Sequence, residues 1–290
     1  MTEALSAEAR AKANLFLRVL ARESDGLHSI ETLFCRLELA DTLSARRTGG
    51  AEVTLVVEGA DAGPAEENLA LRAARLVLEN SRTRFGVELA LTKRIPVGAG
   101  LGGGSADAAA ALGLVNALGG NAIPRSELLH LAARLGADVP FCLSEAPLAI
   151  GWSHGERMMA LPALPRAPVL LLTPPVPIRT AQAYGWIDET RPATGRRGSL
   201  LLDAQALAGW SDVARMAGND FESVVFGRHP VIREAFEALA RTRPLLCRMS
   251  GSGSTLLAVY RSEGDREDAR MMLGRKHGTV VATSTLEGER

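Results

Sequence analysis

Along AKANLFLRVLA (11–21) apolar residues recur at every second position, Ala11, Ala13, Leu15, Leu17 and Val19, which predicts a strand with one buried face. TLFCRLEL (32–39), VTLVVEG (53–59) and GVELALTK (86–93) read as further strands. ENLALRAARLVLENS (67–81) instead sets Leu69, Ala73, Leu76 and Val77 on one stripe at helical spacing. A glycine-rich stretch then opens an alanine-rich helix, and SELLHLAARLG (126–136) predicts a second helix, closed by Gly136. Short segments fill 147–161. The three prolines of LPALPRAP (161–168) forbid regular structure and mark the best boundary. After it come a buried-looking strand VLLLT (169–173), helices near 180–187, 212–226 and 230–241, and strand LLCRMS (245–250). The turn GSGS (251–254) leads into TLLAVY (255–260), and a helix at 265–275 and a strand near 279–284 follow. DETRPATGRRGS (188–199) reads as a surface loop. This order predicts an α+β protein of two lobes, 1–161 and 162–290, rather than regular βαβ alternation.

Composition narrows the function classes. Lys+Arg and Asp+Glu are both 33, so no net field draws nucleic acid or an acidic membrane. Aromatic residues make up 4%, few for stacking on single strands. No run reaches the roughly 18 apolar residues of a membrane span, and the first 21 residues mix acids and bases unlike a signal peptide. Cys35, Cys142 and Cys247 are far apart and lack metal-ligand spacing, which fits reduced thiols in a cytoplasmic protein.

PVGAGLGGGSA (96–106) carries the first chemical signal. Glycines let the backbone approach a ligand closely, and a helix start offers unpaired N–H groups with partial positive charge. That combination predicts an anion cradle. Gly98-x-Gly100-x-x-Gly103 also fits the dinucleotide fingerprint, but a second helix stands where the second strand of that motif belongs. In the Walker pattern Gly104 occupies the place of the phosphate-binding lysine. The cradle is therefore of neither standard type.

Other candidates are weak one by one. Lys12 and Asn14 leave the first strand by the same face, either as a site or as a solvated edge. In GADVPF (136–141) Pro140 forces Val139 extended and holds Asp138 on a stiff turn. DGLHS (25–29) sets His28 on a turn, where a histidine is usually exposed.

Taken in order, these segments give a pattern. AKANLFLRV (11–19), DGLHSIETLF (25–34), IPVGAGLGGGSADAAAAL (95–112), LGADVPFCL (135–143), NDFE (219–222) and MSGSGSTLLAVY (249–260) resemble the GHMP small-molecule kinases. Within them the chain resembles members acting on a cytidine diphosphate sugar alcohol. The resemblance implies a two-lobed fold, with an N-terminal lobe of the type shared with a ribosomal protein and a ferredoxin-like α+β C-terminal lobe. It implies ATP held by Pro96, Val97, Gly98, Ala99, Gly100, Leu101, Gly102, Gly103, Gly104, Ser105 and Ala106, with Asn68 and Lys93 near the nucleotide. Lys12 and Asp138 match the family's catalytic pair. Asn14, His28, Thr180 and Tyr184 match residues around the acceptor, as does position 27, where Leu27 replaces the usual tyrosine. Ser153 replaces a usual glycine two places before Gly155-Glu156. Mg²⁺ is expected with ATP, bound mainly by phosphate and water, and no carboxylate is assigned to it. A small-molecule partner, no nucleic acid, no membrane, and a monomer or homodimer complete the expectation. Homoserine- or mevalonate-type kinases, a dinucleotide oxidoreductase and a non-catalytic RNA-binding protein are the competing readings.

Overall fold

The computed structural model describes residues 4–61, 63–81, 83–190 and 207–287. The expected loop 188–199 lies, from residue 191 on, outside the described residues. The chain divides into two units. The first takes the residues up to Ala11, Leu39–Val97 and Gly102–Ala146; the second takes Lys12–Glu38, Gly98–Leu101 and the chain from Pro147 on. Strands β1 (Leu5–Arg22) and β2 (His28–Thr48) pair with each other and contribute residues to both.

In the first unit β4 (Gly86–Lys93) pairs antiparallel with Thr42–Thr48 of β2 and parallel with β3 (Val53–Gly59). Side chains alternate faces along a strand, so Val87, Leu89, Leu91 and Lys93 all point inward. On β2 the same rule carries Asp41, Leu43 and Ala45 inward. Helices α1 (Leu69–Asn80), α2 (Gly103–Leu118), α3 (Arg125–Leu135) and α4 (Val139–Ser144) pack on one another. Ala106, Ala108, Ala109 and Ala111 of α2 are buried, and their small side chains let α1 approach closely. Asn68 caps α1, its Oδ1 accepting the Ala70 N–H at 2.9 Å.

In the second unit Ile30–Cys35 of β2 pair antiparallel with β5 (Leu148–Ser153), which pairs with β6 (Arg157–Leu161). A four-stranded antiparallel sheet follows in the order β10 (Thr279–Ser284), β7 (Pro168–Thr173), β9 (Leu256–Val259), β8 (Leu246–Met249). Helices α5 (Thr180–Thr190), α6 (Trp210–Met216), α7 (Asp220–Arg228), α8 (Pro230–Ala240) and α9 (Glu263–Leu273) complete it. Leu170, Leu172, Leu256 and Tyr260 form its core with Phe221, Val225, Ile232 and Leu239.

The α+β class stands, and four local expectations change. The helix expected over 212–226 is two helices, because Asn219 leaves helical geometry and its Oδ1 accepts the Phe221 N–H at 2.9 Å, capping α7. Val139 is not extended but opens α4, since Pro140 sits in the first turn, where a helix needs no N–H. Gly136 ends α3 with φ 167°, an extended conformation rather than a left-handed cap. Over Ala11–Leu17 the first strand has no solvated face: Phe16 and Lys12 are buried like Leu15.

Candidate active site

The glycine loop is built in two pieces. In the second unit Ala99 and Leu101 are buried anchors, and three hydrogen bonds tie this stretch down. Thr255 N–H donates to Ala99 O at 3.3 Å, Ser250 Oγ to Gly100 O at 2.9 Å, and Lys12 N–H to Leu101 O at 2.9 Å. Gly100 has φ +79°, and a Cβ there would run into the Ser250 carbonyl, so only glycine fits. In the first unit α2 begins at Gly103. Gly102 precedes it in left-handed geometry and supplies no side-chain cap, and the first turn holds no acidic residue. The leading N–H groups of such a helix have no intrahelical partner, and its first turn supplies no anion of its own. Gly98 and Gly104 are exposed; a Cβ at Gly98 would meet open space, and one at Gly104 only Leu69 at 3.7 Å. These features fit an anion supplied from outside.

Lys12 is 4% exposed. Its Nζ donates to Asn14 Oδ1 at 2.9 Å and lies 5.5 Å from the centre of the Phe34 ring. Asn14 Nδ2 donates to Thr32 Oγ1 at 2.7 Å, and Thr32 donates to Phe16 O at 2.8 Å. The shared face of Lys12 and Asn14 is thus a buried hydrogen-bonded chain. Asp138 sits half-buried just before α4 with φ −83° and ψ −16°, and its side chain makes no cap bond to that helix.

A third group surrounds His28, which is buried at 9% exposure rather than solvated as its turn suggested. Its Nε2 donates to Asp188 Oδ1 at 2.7 Å. Its ring stacks on Tyr184 with centroids 4.6 Å apart and 18° between planes, and Phe221 meets Tyr184 edge-on at 4.9 Å. Thr180, Tyr184 and Asp188 follow one another at four-residue spacing along one face of α5. Thr180 Oγ1 lies 3.0 Å from Ser252 Oγ. Leu27, at the tip of the preceding turn, is 53% exposed.

Lys93 is buried, and its Nζ donates to Asp41 and, at 2.7 Å, to Asp107 Oδ2. Burial pushes the Asp107 carboxyl upward against the pull of Lys93. The thiols of Cys35 and Cys247 are pushed up to about 12 by burial, so neither offers a thiolate nucleophile at neutral pH.

The chain matches the family GHMP kinases N terminal domain over residues 68–146 and GHMP kinases C terminal over 203–279. It belongs to the GHMP kinases. Members are phosphotransferases that use ATP, and the dinucleotide oxidoreductase and RNA-binding readings fall away. Among curated relatives, 4-diphosphocytidyl-2-C-methyl-D-erythritol kinase of Solibacter usitatus is 39% identical over 92% of this chain and 84% of its own length. The kinase of that name from Pelotomaculum thermopropionicum is 37% identical over 97% and 98%. A crystal structure of 4-(cytidine 5'-diphospho)-2C-methyl-D-erythritol kinase superposes with TM-score 0.80 and 33% identity, covering 97% of this chain and 98% of that one. Homoserine kinase from Cytophaga hutchinsonii superposes with TM-score 0.71 at 20% identity over 100% and 96%, a likeness of fold alone.

Several residues of these groups escaped the sequence. Thr32, Ser250 and Asp188 hold Asn14, Gly100 and His28 respectively. Asp188 was within reach, because it continues the four-residue spacing of Thr180 and Tyr184. Thr32 and Ser250 carry no signal beyond being polar residues in apolar strands or turns. Among the described residues no helix is long and apolar enough to cross a membrane.

Proposed function

We propose that this chain transfers the γ-phosphoryl group of ATP to the 2-hydroxyl of 4-diphosphocytidyl-2-C-methyl-D-erythritol, in the cytoplasm, on the non-mevalonate route to isoprenoid precursors. The observation that carries this reading is the match, over nearly the whole of both chains, to the solved kinase with TM-score 0.80 and 33% identity. Lobes 1–161 and 162–290 each contain one of the two family matches, which supports that division.

Residues Pro96–Ala106 receive the phosphates, with Asn68 and Lys93 fixing the helices and strand around them. The uncapped start of α2 supports this, since its N–H groups and dipole attract negative charge. Phosphoryl transfer needs alignment and charge neutralisation more than covalent help. Asp138 accepts the proton of the acceptor hydroxyl or orients that hydroxyl toward the phosphorus. Lys12 offsets charge on the moving group, its ammonium aimed by Asn14. His28, with Asn14, Leu27, Thr180 and Tyr184, holds the cytidine and sugar-alcohol portion; the aromatic stack and the Asp188 bond give His28 a fixed orientation. Mg²⁺ supplies further neutralisation of phosphate charge when bound, held mainly by phosphate and water. The carboxylates buried in the first unit, Asp41 and Asp107, are engaged by Lys93, which agrees with that mode.

Coupled ADP release tests the reading. Purified protein with ATP and Mg²⁺ is expected to release ADP on addition of 4-diphosphocytidyl-2-C-methyl-D-erythritol, and not with homoserine or mevalonate. Faster release with either of the latter would reassign the acceptor.

A further inference from the structure

The buried charges of the first unit form one connected group. Lys93 continues the inward face of β4, and its ammonium is held by Asp41 from β2 and by Asp107 from α2. Asp41 Oδ1 also accepts the backbone N–H groups of Arg94 and, at 2.8 Å, Ile95, which fixes the chain just as it leaves β4. Gly103 lies against Ile95 and Lys93. A Cβ there would come within 3.1 Å of Ile95 Cγ2 and 3.3 Å of Lys93 Nζ. Gly103 and Asp107 are four residues apart and so share a helix face. The start of α2 is therefore gripped twice from the Asp41 side, sterically at Gly103 and ionically at Asp107.

Stability alone does not account for this group. Buried charges are costly to desolvate, and apolar residues of similar volume often serve as well or better. Asp107 Oδ1 is buried and makes no hydrogen bond among the described residues, a further cost. Charge-assisted bonds do provide direction, being short and geometrically selective.

We propose that Asp41 and Asp107 are positioning residues for the nucleotide: through Lys93 they fix the first turn of α2 and so aim the N–H groups of Gly103, Gly104 and Ser105. The inference rests on the reading that ATP phosphates meet that helix start. Small misplacements of a binding element are expensive, an ångström costing up to about 100-fold.

The test compares Asp107→Leu, which removes the grip and fills the space, with Asp107→Asn, which keeps an oxygen for Lys93. With native circular dichroism, Asp107→Leu is expected to raise KM for ATP roughly tenfold, leaving KM for the acceptor unchanged. Asp107→Asn is expected to bring KM for ATP back to within about twofold of wild type. If Asp107→Leu does not fold, Asp41→Asn replaces it. Its amide oxygen still accepts the Arg94 and Ile95 N–H groups, while its NH₂ faces Lys93, and a roughly tenfold rise is again expected. A wild-type KM for ATP in the folded Leu variant, or in Asp41→Asn where that replaces it, overturns the inference and leaves the loop as the ATP site. Equal rises in both KM values overturn it as well, reducing the group to scaffold. Wild-type protein that binds no ATP by calorimetry overturns the assignment of the loop, and the inference with it.

Discussion

Two glycine-rich stretches, GAGLGGGS (98–105) and GSGS (251–254), look alike as strings and differ in surroundings. Residues 251–254 are all buried. A Cβ on Gly253 would stand 2.7 Å from Met249 Sδ, and Asn219 Nδ2 donates to Gly251 O at 2.8 Å. In the first stretch only Ala99 and Leu101 are buried, while Gly98 and Gly104 are exposed with room beside them. Glycine in the second stretch serves close packing, and the neighbouring Ser250 holds Gly100. In the first, Gly100 and Gly103 are also closely packed, but Gly98 and Gly104 leave open space beside the uncapped helix start. Composition names a tight turn in both cases, and only the neighbours decide which one receives a ligand.

Substitutions should separate the two roles. The largest effect is expected from Asp138→Asn, with a fall in kcat of at least about 100-fold and an unchanged melting temperature. A kcat within a few-fold of wild type would remove Asp138 from the chemistry that the first stretch serves. Lys12→Ala should lower kcat on the order of tenfold or more while KM for ATP changes less; a rise in KM for ATP at intact turnover would move Lys12 to nucleotide binding. Gly253→Val should act on the fold instead. Its φ of +94° and the Met249 contact make a cost of roughly 2–4 kcal/mol expected, seen as a melting temperature lower by about 5–15 °C. A native melting curve would mean that the second turn is not the foundation described.

The smallest effect concerns the acceptor. Tyr184 already has the His28 imidazole stacked on it, and Leu27 offers no aromatic face. Leu27→Tyr should therefore lower KM for the cytidine substrate by about 2- to 12-fold, from roughly 0.5–1.5 kcal/mol of added aromatic contact, with KM for ATP unchanged. No change would mean that the base does not lie against position 27.

Strand and helix periods made most of the fold legible, because each lobe is built from half-buried elements whose apolar positions repeat. What escaped depended on contacts distant in sequence. The break between α6 and α7 hinged on Asn219 acting as a cap, which a continuous apolar pattern hides. Lys12 looked like half of a solvated face because alternation shows only that two faces differ, not that both are covered. Lys93 was readable as inward from Val87, Leu89 and Leu91, yet its partners lie 52 and 14 residues away. Asp107, set among alanines, gave no hint that it answers Lys93.

The central claim is that the open glycine stretch, and not the buried one, receives the nucleotide. Gly104→Val addresses it most directly, since a Cβ there meets only Leu69, at 3.7 Å. Titrating ATP into this variant by calorimetry, alongside a thermal melt, should show affinity reduced by at least about tenfold with the melting temperature within about 2 °C of wild type. Wild-type affinity for ATP in a folded Gly104→Val protein would contradict the account.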